Sequence, residues 1–168
     1  VVVTSKIFGE QPAAPTGTGW RDLEGGGKGY AKDGSWVIGW YELNSAKYYF
    51  GTDARMYTGW SDIIVGDKTM HYYFNPVSGV LARGTWIDVE GKKYYFRPSG
   101  SMATGFADVD DEFKRYFDGE GHMVTGWQEI NGKTYYFRIP SGAMQTGAAT
   151  IDGKEYTFSN NGVLQTSA

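Results

Sequence analysis

Aromatic rings at fixed intervals are the side chains of this sequence best placed to do chemistry. A ring or its stand-in follows Gly or Thr at Trp20, Trp40, Trp60, Trp86, Phe106, Trp127 and Ala148, in steps of 20, 20, 26, 20, 21 and 21 residues. Each is followed by a short polar turn, a Tyr-Tyr-Phe-like run and a second turn. A Met or Leu usually precedes the next Thr-Gly. A period of this size marks a stacked-repeat protein, in which a row of similar grooves takes the place of one pocket. Flat ring faces in such grooves are suited to holding something by contact rather than to breaking bonds.

Residues with reactive side chains give little support for catalysis. His71 and His122 have no partner at metal-ligand spacing, and His122 reads as a solvated turn residue. A Ser-His-Asp arrangement needs a pocket that excludes water, which shallow repeats do not supply. Asp108, Asp110, Asp111 and Glu112, with Asp118 and Glu120 nearby, offer the oxygens that Ca²⁺ prefers. The Asp-x-Asp-x-Asp-Gly spacing is missing, so the cluster reads as a solvated hairpin turn. Gly25-Gly26-Gly27-Lys28 has the look of a phosphate loop, but nothing helical follows it. No catalytic residue, metal ligand or cofactor is assigned.

The elements that must position the rings follow from turn chemistry. In the sixth unit Trp127-Gln128-Glu129-Ile130 runs into Asn131-Gly132 and then Lys133-Thr134-Tyr135-Tyr136-Phe137. Asn-Gly between two alternating runs is a strong hairpin signal, because a type I′ turn requires positive φ at both central residues. Asn44-Ser45, Glu90-Gly91 and Asp152-Gly153 occupy the same place in other units. A second turn follows each triplet, as in Arg97-Pro98-Ser99-Gly100 and Asn160-Asn161-Gly162. The predicted fold class is all-β, a β-solenoid of stacked two-stranded hairpins from about seven repeats of roughly 20 residues, without helices.

Strand alternation then assigns faces. In each triplet the first Tyr and the Phe share one face, and the middle Tyr points to the other. A lone hairpin is marginal in water, so each must bury an aromatic face on its neighbour. The first Tyr and the Phe are expected in the core, and the Trp and middle Tyr along grooves between hairpins. End units look like caps, with Lys28, Gly29 and Tyr30 in the triplet position of the first and Ala148 in the ring position of the last. The fifth unit departs from the pattern, with Arg115 in the first Tyr position, so its junction should be altered. Residues 1–18 read as a linker or an incomplete preceding repeat, and residues 19–168 as the hairpin array.

Composition agrees. With 25 Gly, 6 Trp, 13 Tyr and 9 Phe among 168 residues, the core is built from rings with glycine at the corners. A net charge of −3, from 16 basic and 19 acidic side chains, leaves no basic stripe for nucleic acid. No apolar run approaches the roughly 20 residues of a membrane span. Cysteine is absent, so no disulfide holds the repeats. Val1-Val2-Val3-Thr4-Ser5-Lys6 does not read as a signal peptide, and a first residue other than Met suggests a fragment or a processed product.

Gly-Trp, Asn-Gly-Lys, Tyr-Tyr-Phe and Gly-x-Met-x-Thr-Gly together resemble the cell-wall-binding repeats of secreted Gram-positive proteins. That superfamily includes choline-binding repeats, glucan-binding repeats and the C-terminal repeats of clostridial toxins. The resemblance covers residues 19–166 in seven copies. It implies a secreted, surface-located module that attaches a partner domain to a polymer. In the choline branch, rings surround a quaternary ammonium by cation–π attraction, worth ~2 kcal/mol when the cation is desolvated. The residue ahead of Tyr-Tyr, often Trp there, is Lys47, His71, Lys93, Lys114, Thr134 or Glu155 here. A lysine pointing into such a cage would repel the ligand. In the glucan-binding and toxin branches, sugar faces would stack on the rings instead.

Ligand contacts are expected from Trp40, Tyr49, Trp60, Tyr73, Trp86, Tyr95, Met123, Trp127, Tyr136 and Met144. The partner is expected to be a cell-wall polymer, through choline or a glycan, with no nucleic acid, no membrane span and a homodimer as an option. The competing reading is a structural spacer or dimerisation arm whose rings are spent on stacking.

Overall fold

Paired positive φ values at the hairpin tips bend the chain back on itself as the turn residues require. Asn131 and Gly132 stand at φ 51° and 71°, and Asp152 and Gly153 at 50° and 77°. Asn44 and Ser45 reach 52° and 64° without any glycine, which asks more of the backbone. In the computed structural model, residues 9–110 and 113–165 are described. Asp111 and Glu112 of the acidic turn lie outside the described residues, as does the start of the segment assigned as linker.

The described residues form strands and no helix. The first hairpin is β1 (Gly19–Asp22) and β2 (Lys28–Lys32), extended by β3 (Ser35–Trp36). The second pairs β4 (Gly39–Leu43) with β5 (Ala46–Phe50), and the third β6 (Gly59–Val65) with β7 (Lys68–Phe74). The fourth pairs β8 (Thr85–Val89) with β9 (Lys92–Phe96), and the fifth β10 (Gly105–Asp108) with β11 (Lys114–Phe117). The sixth pairs β12 (Gly126–Ile130) with β13 (Lys133–Phe137). The seventh joins β14 (Gly147–Ile151), β15 (Lys154–Phe158) and β16 (Leu164–Gln165). Two compact units result: residues 1–85 with 98–102, and residues 86–97 with 103–168.

Within each unit the hairpins stack through one recurring hydrogen bond. The residue in the Met position donates its amide to a strand carbonyl of the preceding hairpin. In the first unit Met56 reaches Lys28 at 2.7 Å, Leu81 reaches Lys47 at 2.8 Å and Met102 reaches His71 at 2.9 Å. In the second unit Met123 reaches Lys93 at 2.9 Å and Met144 reaches Lys114 at 2.8 Å. The same side chains fill the space left by the next turn's missing Cβ. A Cβ on Gly79 would lie 2.2 Å from the Met56 sulfur, and one on Gly142 or Gly162 would lie 2.5 Å from that of Met123 or Met144. This contact ties the Gly of one repeat to the Met of the repeat before.

Rings fill the core as the alternation predicts. Phe50, Phe74, Phe96, Phe117 and Phe137 are fully buried. In the first unit Phe74 clusters with Tyr57, Ile63, Tyr72 and Leu81. In the second, Phe137 clusters with Ile130, Tyr135 and Met144. The first hairpin departs from the sequence alignment by one residue. Trp20 pairs with Tyr30, so Gly29-Tyr30-Ala31, and not Lys28-Gly29-Tyr30, holds the triplet place. A longer turn, Leu23–Gly27, accounts for the shift: Leu23 N donates to Gly27 O. Arg55 covers that glycine turn by donating to the Glu24 and Gly26 carbonyls, leaving a structural corner and no phosphate cradle. Before the hairpin, the Ala13 carbonyl accepts from Trp36 Nε1 at 2.9 Å and the Gly17 carbonyl from Gly34 N at 3.1 Å.

Candidate functional site: aromatic grooves between hairpins

Antiparallel register sets each expected ring opposite a tyrosine: Trp40 faces Tyr49, Trp60 faces Tyr73 and Trp127 faces Tyr136. The cross-strand ring pairs are nearly perpendicular. Their centroids lie 5.0 Å apart for Trp40–Tyr49, 5.1 Å for Trp60–Tyr73 and 5.0 Å for Trp127–Tyr136. Trp86 and Tyr95 stand 5.3 Å apart at 56°. Tyr95 is itself buried, whereas Tyr49, Tyr73 and Tyr136 are half-buried.

A third wall comes from the next hairpin. Trp40 meets Tyr72 at 5.1 Å and 69°, with Phe74 at 6.0 Å forming the floor. Trp127 meets Tyr156 at 4.8 Å and 66°, with Phe158 at 5.9 Å. Trp20 repeats the motif with Tyr30, Tyr48 and Phe50, and Phe106 with Tyr116, Tyr135 and Phe137. The sequence placed the first Tyr of each triplet wholly in the core. Tyr72 and Tyr135 are buried but Tyr48 and Tyr156 only half-buried, and the rings of all four also form groove walls. Burial pushes the Tyr72 phenol up, so this wall stays neutral across physiological pH. Alternation was the available signal: it turns the first Tyr towards the preceding hairpin.

The indoles stay open on one side. Trp20, Trp86 and Trp127 are 36 to 38 % exposed and Phe106 is 41 % exposed. Met123 and Met144 lie along the stacking seam against Gly142 and Gly162. Met144 also lines a cleft of about 330 Å³ with Asp108, Asp110, Phe113, Lys114, Thr146 and Asn160.

Charge beside the rings follows a second rule. Two residues after each ring, on the same strand face, stands a carboxylate opposite the residue just ahead of the triplet. Asp22 pairs with Lys28 at 2.8 Å, Asp62 with the His71 ring at 2.5 Å and Asp108 with Lys114 at 3.3 Å. Lys47 behaves differently: its Nζ lies 4.8 Å from the Trp40 ring centroid. At Trp127 the pattern breaks. Glu129 faces Thr134, and no basic side chain neutralises it among the described residues.

The histidines are held by carboxylates. His122 is not a free turn residue: Nδ1 lies 3.0 Å from Asp118 Oδ2, and the ring stands 5.3 Å from Tyr94. Among the described residues no group of three or more His, Asp or Glu side chains is placed to hold a metal ion. Among the described residues no helix is long and apolar enough to cross a membrane.

Comparison with known proteins matches this geometry. The family model for a choline-binding repeat matches residues 37–86, 82–125 and 124–167. No curated protein sequence matches significantly. Among solved structures, CbpJ from Streptococcus pneumoniae TIGR4 is 32 % identical with a TM-score of 0.72, covering 83 % of this chain and 50 % of its own. Choline binding protein F from Streptococcus pneumoniae is 30 % identical with a TM-score of 0.78, covering 89 % of this chain and 52 % of its own. The same protein, solved in the presence of a peptidoglycan analogue (tetrasaccharide-pentapeptide), gives 30 %, 0.79, 90 % and 54 %. The chain therefore spans about half the length of these structures. Hairpins, groove rings and family match converge over most of the sequence: this chain belongs to the choline-binding repeat family.

Proposed function

We propose that the chain is a non-catalytic attachment module of an exported protein. It holds a choline-bearing cell-surface polymer by seating quaternary ammonium groups in the grooves between hairpins. The observation that carries this reading is the groove at Trp127. Three rings, Trp127, Tyr136 and Tyr156, meet there at near-perpendicular angles with the indole one-third exposed. Glu129 supplies a carboxylate on the same face with no lysine against it.

A trimethylammonium group is apolar at its surface and positive throughout, so ring faces attract it without hydrogen bonds. Three such contacts at about 1–2 kcal/mol each come to roughly 3–6 kcal/mol, a range that brackets the ~4 kcal/mol net of a millimolar groove and leaves no room for tight binding at any one of them. Several grooves acting on one polymer then multiply the weak affinity of each. The family membership and the two streptococcal relatives support choline over a bare glycan.

Tryptophan fluorescence titrated with choline chloride, and in parallel with cell-wall oligosaccharides, tests the assignment. A saturable change with choline that Trp127→Ala weakens at least tenfold is the expected result. A response confined to the sugars would move the function to glycan recognition. Silence towards both, with a concentration-dependent dimer by light scattering, would favour the spacer or dimerisation arm.

A further inference from the structure

One groove carries its own cation. In the fifth hairpin, register aligns Ala107 with Arg115 as it aligns Tyr41 with Tyr48, Ser61 with Tyr72 and Gln128 with Tyr135. Arg115 therefore occupies the place of the third wall. Its guanidinium carbon lies 5.5 Å from the centroid of the Trp86 ring, and its side chain is only 12 % exposed. Nη1 donates to Asp110 Oδ2 at 2.6 Å and Nε donates to the Ser141 carbonyl at 3.0 Å. A planar cation on an indole face, fixed by charge-assisted hydrogen bonds, costs far more to displace than a mobile side chain.

We propose that Arg115 is a resident occupant of the Trp86 groove and that this groove rejects quaternary ammonium ligands. The proposal rests on the ammonium-binding reading of the sister grooves. Arg115 takes the ring contact an incoming cation would need and repels that cation by like charge. Its carboxylate partner, Asp110, is turned to the guanidinium. Lys47 over Trp40 is the contrasting case. Its ammonium has a flexible stem and no ion pair among the described residues, so a ligand can push it aside. The grooves are thus graded by what lies on the indole: no Lys or Arg on Trp127 among the described residues, a mobile Lys47 on Trp40, and an anchored Arg115 on Trp86, whose indole edge stays as exposed as that of Trp127.

Two measurements on the full chain test this. In calorimetric titration with choline chloride, Trp86→Leu leaves the number of sites unchanged, because that groove takes none. Arg115→Tyr, which restores the ring found at Tyr72 and Tyr156, adds one site, and the double variant Arg115→Tyr with Trp86→Leu loses it again. Arg115→Gln guards against a packing failure of the tyrosine: it frees the indole and adds a weaker site. Loss of a site in Trp86→Leu, or no gained site in either folded Arg115 variant while Trp127 still binds, overturns the proposal and spares the attachment reading. If neither wild type nor the Arg115 variants bind choline, both readings fall. Independently of any ligand, the Arg115 side-chain protons should show an upfield ring-current shift by NMR that Trp86→Leu abolishes. Unshifted resonances in the wild type would place the guanidinium elsewhere and sink the proposal.

Discussion

Single residues decide which ring groups in this chain remain available. Lys47 holds its ammonium 4.8 Å from the Trp40 centroid, in a groove otherwise built like that of Trp127. An exposed cation–π contact is worth about 0.5–1 kcal/mol. Lys47→Thr, which copies Thr134, should therefore tighten choline at this groove roughly two- to fivefold, read by calorimetry in a Trp127→Ala background. Unchanged affinity would mean that the lysine does not compete. Asp118 shows a different residue-level effect. Burial alone would push its carboxyl up, but the His122 and Glu120 amides and the His122 ring, each about 3 Å away, outweigh it and hold the group below the usual carboxylate range. A depressed folded pKa contributes stability above the unfolded pKa, and that contribution is lost as pH falls through the folded one. Asp118→Asn should melt below wild type at neutral pH, and the gap should close as acid protonates the wild-type carboxylate. A pH-independent gap would assign the loss to the turn's hydrogen bonds alone.

At the scale of the element, the hairpin supplies rigidity, and in every hairpin but the first the Phe that ends the triplet is buried. Phe137 is fully buried beneath Phe106, Tyr116 and Tyr135. Phe137→Ala should cost about 3–5 kcal/mol in urea denaturation, since the rigid seam closes little of the cavity. A loss under 1 kcal/mol would show that neighbouring repeats collapse into the gap. Ser61 works the opposite way. Its hydroxyl is buried on β6 without a hydrogen-bond partner among the described residues, so Ser61→Ala should be neutral or stabilise by about 1 kcal/mol. These elements were legible in the sequence because their causes are local. Asn131-Gly132 bends wherever it stands, and alternation fixes which triplet ring faces which way. The groove's third wall was less legible, since Tyr72 reaches Trp40 only through the stacking distance between hairpins. The seam role of the methionines was hidden for the same reason: Met123 and Gly142 are neighbours in space, one repeat apart in the chain. Arg115 stands out in the sequence as a break in the pattern, but its seat on Trp86 depends on how the fourth and fifth hairpins stack.

Across the whole molecule the question is how many weak grooves serve one polymer. If the proposed gradation holds, hairpins outnumber binding grooves: Ala148 offers no ring to the seventh, and Arg115 lies over the ring of Trp86. Choline stoichiometry should accordingly fall below the count of seven hairpins, with Trp127 the tightest site. Charge sharpens the test of mechanism. With 16 basic against 19 acidic side chains the charges are interspersed, so on the proposed reading the rings, and not a basic stripe, carry the hold on a choline-bearing polymer. Ring contacts in a partly desolvated groove are screened little by salt, whereas phosphate contacts weaken steeply with it. Retention on a choline-coated surface should therefore survive about 0.5 M NaCl, which shortens the Debye length to roughly 4 Å. Free choline at about 10–100 mM, well above a millimolar groove constant, should release the chain. Trp127→Ala should shorten retention more than the loss of one site in several implies, because avidity multiplies affinities instead of adding them. Release by salt with indifference to free choline would point to the polymer's phosphates as the true ligand and remove the grooves from the mechanism.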